Sequence, residues 1–254
     1  MGKPTFLILL PIHRPPDLLE FAIESVLNQS RQDFELHIVC DGAPASTLRA
    51  AAVWANSDNR IFAHFHPKGE GHGEHYRDLA IRENPGRFVC QIADDDLWFP
   101  NHLAEIERLL EKVQFGHTIQ IQVESDGKMW PIAGDLSDPQ TVSKMLAEHF
   151  NIFGPTAAGY RRDTYLDLEE GWTPAEVGVW SDLHMWRKFL RRQDISSATR
   201  FSLTNLHIAA PFHAHLSIEE RAGLNAELWH DVSDPARLDS ITQAVLKGPW
   251  TALS

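Results

Sequence analysis

Short apolar runs alternate with stretches of helical periodicity through the first hundred residues of this 254-residue chain. Residues 5–10, TFLILL, form an uninterrupted apolar run closed by Pro11, which is typical of a strand buried on both faces. In residues 15–30, PPDLLEFAIESVLNQS, apolar positions recur at helical spacing, and both prolines stand where a helix start tolerates them. The pattern therefore predicts a strand followed by a helix.

The same alternation repeats along the first half. Further strands are predicted at residues 34–40, 60–66 and 87–93, with helices between them at 46–56 and 75–84. Strands that alternate with helices predict βαβ units and an α/β fold with a mostly parallel sheet. The second half is less regular, with a predicted helix at 104–113, a strand at 118–125 and a capped helix within 137–150.

Polar residues follow each predicted strand of the first half. They are His13 and Arg14, then Asp41, then His66 and Lys68, and finally Asp94, Asp95 and Asp96. Because ligands of such sheets bind outside the carboxyl ends of the strands, these side chains should meet along one edge.

Three consecutive aspartates at a strand end repel one another unless a cation or hydrogen-bond donors neutralise them. Carboxylate oxygens suit Mn²⁺ or Mg²⁺, and such ions commonly share their shell with substrate phosphates. The alternative is a solvated acidic turn in which the last aspartate caps the next helix. The place of the triplet after a strand favours the metal site.

Net charge and hydropathy restrict the partners. The formal net charge is -12 and the chain has no run of Lys or Arg, so nucleic acid is not expected as the main partner. The opening apolar stretch is too short for a membrane span or a signal peptide, which predicts a cytoplasmic protein, or one peripheral to the inner face of the membrane. Cys40 and Cys90 lie in apolar runs and are predicted to be reduced core residues.

Two separated segments resemble family 2 glycosyltransferases. PIHRPPDLLEFAIESVLNQSRQDFELHIVCDGAP is similar to the family's opening strand and its helix ending SVLNQ, and ADDDLWFPNHL is similar to its metal-binding segment DDDDxWxP. The resemblance covers about the first 105 residues. The resemblance implies a GT-A fold and a nucleotide-diphosphate sugar donor, with a UDP-sugar favoured. It also implies transfer with inversion to the hydroxyl of an unknown acceptor, which is a glycan, a lipid-linked molecule or a small molecule.

The resemblance also assigns roles on the donor side. Asp41 matches the acid that contacts the nucleobase, and Pro11 and His13 lie in the loop beside it. Arg77 stands at the family's Arg-Asn pair as a nucleotide or diphosphate contact. The resemblance then implies Asp94 near the ribose and Asp95 as metal ligand with Asp96 in support. Because the three aspartates are consecutive, the match to the family motif could shift by one residue, which leaves the exact metal ligand open.

The acceptor side is expected in the second half. VWSDLHMWRKFLRR resembles EDxxLWLRL, which implies Asp182 as the general base, with Ser181 where the family has another acid; a helix cap is the alternative role for Asp182. Some GT-A enzymes supply a metal-binding histidine after the base, which makes His213 and His215 candidates. Trp172 and Trp180 are candidates to stack on a sugar, although core packing is the commoner use. The histidines between positions 64 and 75 lack compact zinc-ligand spacing.

The predicted organisation is a glycosyltransferase domain over residues 1–215 and a helical extension over 216–254 packed on it. Residues 1–105 form the nucleotide-sugar half of the domain and 106–215 the acceptor half. Two other functions use similar residues. The first is a metal-dependent nucleotidyltransferase or phosphohydrolase, which needs the aspartates but no acceptor base. The second is a non-catalytic sugar-nucleotide binding module, in which replacing Asp182 would leave metal-dependent nucleotide binding intact and there would be no turnover to lose.

Overall fold

The fold was analysed in a computed structural model of the chain, which describes residues 3–208 and 210–248. The strands in these ranges are β1 (Phe6–Ile12), β2 (Phe34–Asp41), β3 (Ile61–His66), β4 (Phe88–Gln91), β5 (Leu97–Trp98), β6 (Phe115–Val123), β7 (Met129–Ile132), β8 (Ala158–Arg161) and β9 (Ser197–His207). The helices are α1 (Leu19–Leu27), α2 (Ala45–Ser57), α3 (Glu74–Glu83), α4 (His102–Leu110), α5 (Pro139–Ala147), α6 (Arg162–Leu166), α7 (Ser181–Leu190), α8 (Ile218–Ser233) and α9 (Pro235–Lys247). Short 3-10 helices cover Pro155–Ala157 and Ala210–His213.

The strands form one sheet in the order β3-β2-β1-β4-β8-β6-β9-β5, with β7 paired to β6. The first four are parallel, as the alternation of strands and helices predicts. Antiparallel pairs enter in the second half, where β8 lies between β4 and β6. The sheet is therefore parallel on the donor half predicted from sequence and mixed beyond it.

The first strand does not end before Pro11, as the apolar run predicted, but continues to Ile12. The Leu9 carbonyl accepts a hydrogen bond from the Ile92 amide on the β4 side, and Pro11, two residues later, faces the same side. Because β4 has already ended at Gln91, Pro11 has no ladder partner to lose there.

Apolar side chains cover both faces of the sheet. Phe6, Ile8 and Leu10 pack with α1 and α2 on one face, and Leu7 and Leu9 pack on the other. This two-sided burial explains why β1 reads as a continuous apolar run. The opposite face also holds the side chains of α7 and the aromatic residues around it.

A third apolar cluster joins the C-terminal helices to the sheet. Leu228, Val232 and Val245 pack with Leu97 and Leu206 of strands β5 and β9. The division of the chain near residue 215 stays a prediction. Within the described ranges, no helix has the length and apolar character needed to cross a bilayer.

Candidate active site

A cavity of about 510 Å³ opens where the carboxyl ends of β1 and β4 face the start of α7 and the end of β9. Six of the ten residues predicted as base, donor contacts or metal ligands lie in its wall: Pro11, His13, Arg77, Asp94, Asp95 and Asp182. The wall also contains Arg14, His72, Ala93, Pro155, Val179, Trp180, Ser181 and His207. The other four predicted residues, Asp41, Asp96, His213 and His215, lie outside this wall.

Two arginines neutralise the first two aspartates of the triplet. Arg14 makes a paired contact with Asp94, with Nε 2.6 Å from Oδ2 and a terminal nitrogen 2.8 Å from Oδ1. The same arginine lies 2.8 Å from Oδ2 of Asp95, which also accepts a 2.9 Å hydrogen bond from Arg221 of α8. Asn225, one turn further along α8, donates to the Asp95 carbonyl at 2.9 Å. Helix α8 therefore contacts the aspartate turn directly.

Asp96 is fully buried and does not line the cavity. Its carboxylate accepts hydrogen bonds from the Thr156 hydroxyl, from Nδ1 of His207 at 3.0 Å and from the Ile208 amide at 2.8 Å. Burial alone would raise the pKa of Asp96, but the charge and hydrogen bond of His207 and the other two donors lower it. Burial opposes protonation of His207, yet the negative charge of Asp96 raises the pKa of His207 above its usual value.

The surroundings of Asp95 disfavour its charged form, although both arginines contact it. Burial, followed by the charges of Asp96 and Asp94, raises the pKa of Asp95 to about 6, and Arg14 offsets only part of this rise. A divalent cation would relieve this repulsion, and the carboxylate oxygens of Asp94 and Asp95 in the cavity wall suit Mn²⁺ or Mg²⁺. Their chemistry therefore fits such an ion. Within residues 3–208 and 210–248, no three His, Cys, Asp or Glu side chains are already grouped around a common metal position.

Asp41 lies beneath the glycine-rich loop between β3 and α3, residues 67–73, which we call the donor loop. Its carboxylate accepts 2.5 Å and 2.6 Å hydrogen bonds from Nζ of Lys68 and the Gly69 amide. Gly73 adopts φ +74°, and a Cβ there would lie 3.0 Å from the Cβ of Asp41. Glycine at position 73 therefore permits both the left-handed backbone and the close approach of the loop to Asp41.

Arg77 lies in the cavity wall but is only 4% exposed. Its guanidinium stacks 4.0 Å from the ring of Trp172 and donates to Oε1 of Gln91 at 3.3 Å. Trp172 is itself 1% exposed, so it serves the core rather than a sugar-stacking surface. Trp180, which is 49% exposed at the cavity wall, keeps the surface that such stacking requires.

Asp182 lies at the first turn of α7 and faces the cavity that Asp94 and Asp95 line. Asn151 donates to its Oδ2 at 2.9 Å, and the Leu183 amide donates to its Oδ1 at 2.7 Å. Burial raises the pKa of Asp182 above its usual value, with smaller opposing effects from the Leu183 amide, His207 and Arg77. A carboxylate of raised pKa is a better proton acceptor than an ordinary aspartate.

The two histidines predicted as metal ligands occupy different environments. His213 is buried at the end of the short helix after β9, whereas His215 is exposed. The structure places His207 in the cavity wall instead, with its ring oriented by Asp96 through Nδ1. Ligation by His213 or His215 stays a prediction.

Sequence reasoning missed four residues whose side chains contact the aspartate turn: Thr156, His207, Arg221 and Asn225. Arg14 is among the residues predicted at this sheet edge, since it directly follows the first strand, and His207 ends a strand-like run. Arg221 and Asn225 are polar residues of an ordinary amphipathic helix, with no local signal that they contact Asp95.

Comparison with known proteins identifies the family. The family model described as Glycosyl transferase family 2 matches residues 7–168, and the chain belongs to this family. An uncharacterized glycosyltransferase of Rickettsia bellii is 26% identical over 181 residues, which cover 70% of this chain and 25% of the relative. The uncharacterized glycosyltransferase YwdF of Bacillus subtilis is 26% identical over 188 residues, covering 73% of this chain and 66% of YwdF. The chain thus spans only about a quarter of the length of the Rickettsia relative.

Solved structures share the fold at low sequence identity. Staphylococcus aureus TarS 1-349 in complex with UDP-GlcNAc is 16% identical with a TM-score of 0.61, covering 95% of this chain and 71% of TarS 1-349. The mannosyltransferase PcManGT from Pyrobaculum calidifontis, in complex with GDP-Man and Mn²⁺, is 16% identical with a TM-score of 0.60 and covers 98% and 77%. The predicted family, GT-A fold class and enzyme class are confirmed.

Proposed function

We propose that the chain transfers a sugar from a nucleotide-diphosphate donor to an acceptor hydroxyl with inversion, using Asp182 as general base. The observation that carries the proposal is the placement of Asp182 in the same cavity wall as Asp94 and Asp95. A base on one side and a diphosphate-binding turn on the other are the two parts that direct displacement requires.

The donor occupies the side of the cavity formed by the ends of β1 and β4. Pro11 and His13 border the nucleoside, Asp41 and the loop that covers it hold the nucleobase, and Asp94 lies by the ribose. A UDP-sugar is favoured. TarS with UDP-GlcNAc and PcManGT with GDP-Man support a nucleotide-sugar donor of this general kind.

Mn²⁺ or Mg²⁺ would be held by Asp95 together with Asp94, both of which line the cavity. When bound there, such an ion would supply Lewis-acid stabilisation of the diphosphate leaving group. Arg14 and Arg221 contact these two aspartates. Once an ion takes over the carboxylates, their guanidinium groups would be free to bind the phosphate oxygens of the donor. Asp96 supports the turn from the core through its contacts with Thr156 and His207.

Asp182 accepts the proton of the acceptor hydroxyl while the hydroxyl oxygen attacks the anomeric carbon. The bond from that carbon to the diphosphate oxygen breaks, its electron pair leaves with the nucleoside diphosphate, and the proton remains on Asp182. Attack opposite the leaving group inverts the anomeric centre. Asn151 and the Leu183 amide hold the carboxylate in place for this step. The acceptor is a glycan, a lipid-linked molecule or a small molecule.

A thermal-shift panel of UDP, GDP, UDP-GlcNAc and GDP-mannose, with and without Mn²⁺, tests donor binding, because a ligand that binds the native state raises its stability. Release of UDP or GDP in the presence of candidate acceptors measures turnover. The Asp182→Asn variant should keep Mn²⁺-dependent nucleotide binding within about twofold and lose at least about 100-fold in kcat, on the scale of general base catalysis.

Asp126→Asn is the matched control, because Asp126 lies on a surface turn outside the cavity wall. Wild-type turnover that survives in Asp182→Asn would refute the base assignment. Binding without turnover for any donor and acceptor would instead favour the binding-module alternative. A Mn²⁺-dependent thermal shift that is unaffected by Asp95→Ala would refute the metal site at Asp95.

A further inference from the structure

The residue before the proposed base Asp182 is a serine, and a carboxylate from another helix contacts it. Family 2 resemblance places an acid at position 181, but this chain has Ser181. Glu74, the first residue of α3, accepts a 2.5 Å hydrogen bond from the Ser181 hydroxyl on its Oε1. The carboxylate missing from α7 is therefore present in space, supplied from α3.

Glu74 belongs to a small buried network. It is 0% exposed, and its second oxygen, Oε2, accepts a 2.7 Å hydrogen bond from the His72 amide. A terminal nitrogen of Arg77 lies 3.4 Å from Oε1 of Glu74 and donates to the Ser181 hydroxyl at 3.2 Å. Arg77 is in turn held against the ring of Trp172. A buried pair of this kind keeps its geometry because either charge alone would be costly to bury.

The start of α7 is in contact with this network through Ser181, its first residue. Its N-cap residue, Trp180, makes no side-chain capping hydrogen bond, and Asp182 follows two positions later. The negative charge of Glu74 next to Ser181 is favourable at a helix N-terminus, where backbone amides carry partial positive charge. Loss of this contact would loosen the turn that carries Asp182.

The same residue also contacts the donor side. His72, which donates to Glu74, is in the loop between Gly69, which donates to Asp41, and Gly73, which packs on Asp41. Glu74 therefore joins the loop over the proposed nucleobase site to the helix that carries the proposed base.

We infer that Glu74 is a positioning residue for sugar transfer, which through Ser181 orients Asp182 and through His72 ties that helix to the donor loop. The inference rests on the proposed function. Because a displaced base loses turnover steeply, Glu74→Ser should lower kcat about 10- to 100-fold. The KM for the donor should change by a smaller factor than kcat, because Glu74 does not line the cavity and affects the loop over Asp41 through the His72 backbone.

The decisive variant moves the carboxylate back to α7. Ser181→Glu alone should also lose kcat, because it places a second carboxylate beside Glu74. The double variant Glu74→Ser/Ser181→Glu has one carboxylate again and should recover kcat to within about fivefold of wild type, a coupling that a double-mutant cycle measures. Turnover is followed as UDP release from UDP-GlcNAc or GDP release from GDP-mannose with Mn²⁺.

Hydrogen exchange provides a readout that does not need turnover. Amides of residues 183–185 should exchange faster in Glu74→Ser and return towards wild-type rates in the double variant. Glu105→Gln is the matched control, since Glu105 is also buried between two arginines, Arg108 and Arg200, but belongs to α4 outside the cavity wall. It should leave both exchange at 183–185 and kcat unchanged.

The outcomes separate the two claims. Unchanged kcat and exchange in Glu74→Ser, or a double variant that folds with a wild-type thermal transition but is no better than Glu74→Ser, would overturn the positioning role. Absence of turnover in the wild-type protein with every donor and acceptor would refute the proposed function instead, and the exchange pattern would still show whether Glu74 holds the start of α7.

Discussion

Replacing Asp96 with asparagine should destabilise the protein far more than the same change at Asp94, although the two residues are close in sequence. Asp96 is fully buried and receives three donors, from Thr156, His207 and Ile208. Asparagine offers only one acceptor oxygen, and its amide group would place donors against donors. The charge that pairs with His207 is lost as well.

The magnitude follows from these contacts. Hydrogen bonds to charged groups contribute about 1.5 to 3 kcal/mol each, and breaking a buried ion pair costs about 3 to 5 kcal/mol. The terms are not additive, so we expect Asp96→Asn to lower the free energy of unfolding by about 3 to 4 kcal/mol. For Asp94→Asn we expect about 1 kcal/mol, because the Arg14 side chain is 23% exposed and keeps Asp95 as a partner.

Urea unfolding at pH 7, followed by tryptophan fluorescence, measures the stability change. Calorimetry of UDP binding with Mn²⁺ measures the functional change, and Asp94→Asn should weaken it at least about tenfold while Asp96→Asn, where folded, changes it less. The surface change Asp126→Asn should alter stability by less than about 0.5 kcal/mol. An Asp96→Asn protein as stable as wild type, combined with complete loss of Mn²⁺-dependent binding, would refute the division of roles within the triplet.

Two further predictions concern buried imidazoles and the donor loop. Burial lowers the pKa of His37 and of His102 to about 3 and that of His117 to about 4. Below pH 6.5 the unfolded chain therefore binds more protons than the folded protein. The free energy of unfolding should be full above pH 6.5 and fall as the pH decreases, by up to about 1.4 kcal/mol per pH unit for each histidine. Urea midpoints at pH 7.5, 6 and 5 test this, and a His102→Gln variant should show a shallower decline; a flat profile would contradict it. Gly73→Ala should cost about 1 to 2 kcal/mol for the positive φ, with a further cost from the contact of the added Cβ with Asp41, and should weaken UDP binding. Gly127→Ala is also at positive φ but has no atom within 4 Å of the added Cβ, so it should cost only the backbone part and leave binding intact. Equal UDP affinity in the two alanine variants would contradict a nucleotide role for the loop.

The first four strands and the first three helices could be predicted from local sequence alone. Helical spacing in α1 and apolar runs in β1, β2 and β4 follow directly from which faces are buried, and those faces repeat at fixed periods. The meeting of Arg14 with Asp94 at one sheet edge is also a consequence of parallel strand order.

The bounds of β1 were less predictable, because proline is compatible with a strand only when the neighbouring strand has already ended. That condition depends on where β4 turns away, which the residues of β1 do not encode. The mixed second half of the sheet has the same origin, since antiparallel β8 inserts next to β4 from a distant part of the chain.

By itself, the sequence determined that three aspartates follow a buried strand and that Asp182 begins a helix. The sequence could not show that Asp95 lines the cavity whereas Asp96 is buried in the core. Their environments are made by partners far along the chain, Arg221 for Asp95 and Thr156 with His207 for Asp96. Nor could the sequence show that Glu74 supplies a carboxylate beside Ser181, 107 positions away. Local patterns report how each segment buries its own apolar face, whereas the charge state and orientation of a buried carboxylate depend on the donors that tertiary packing brings to it.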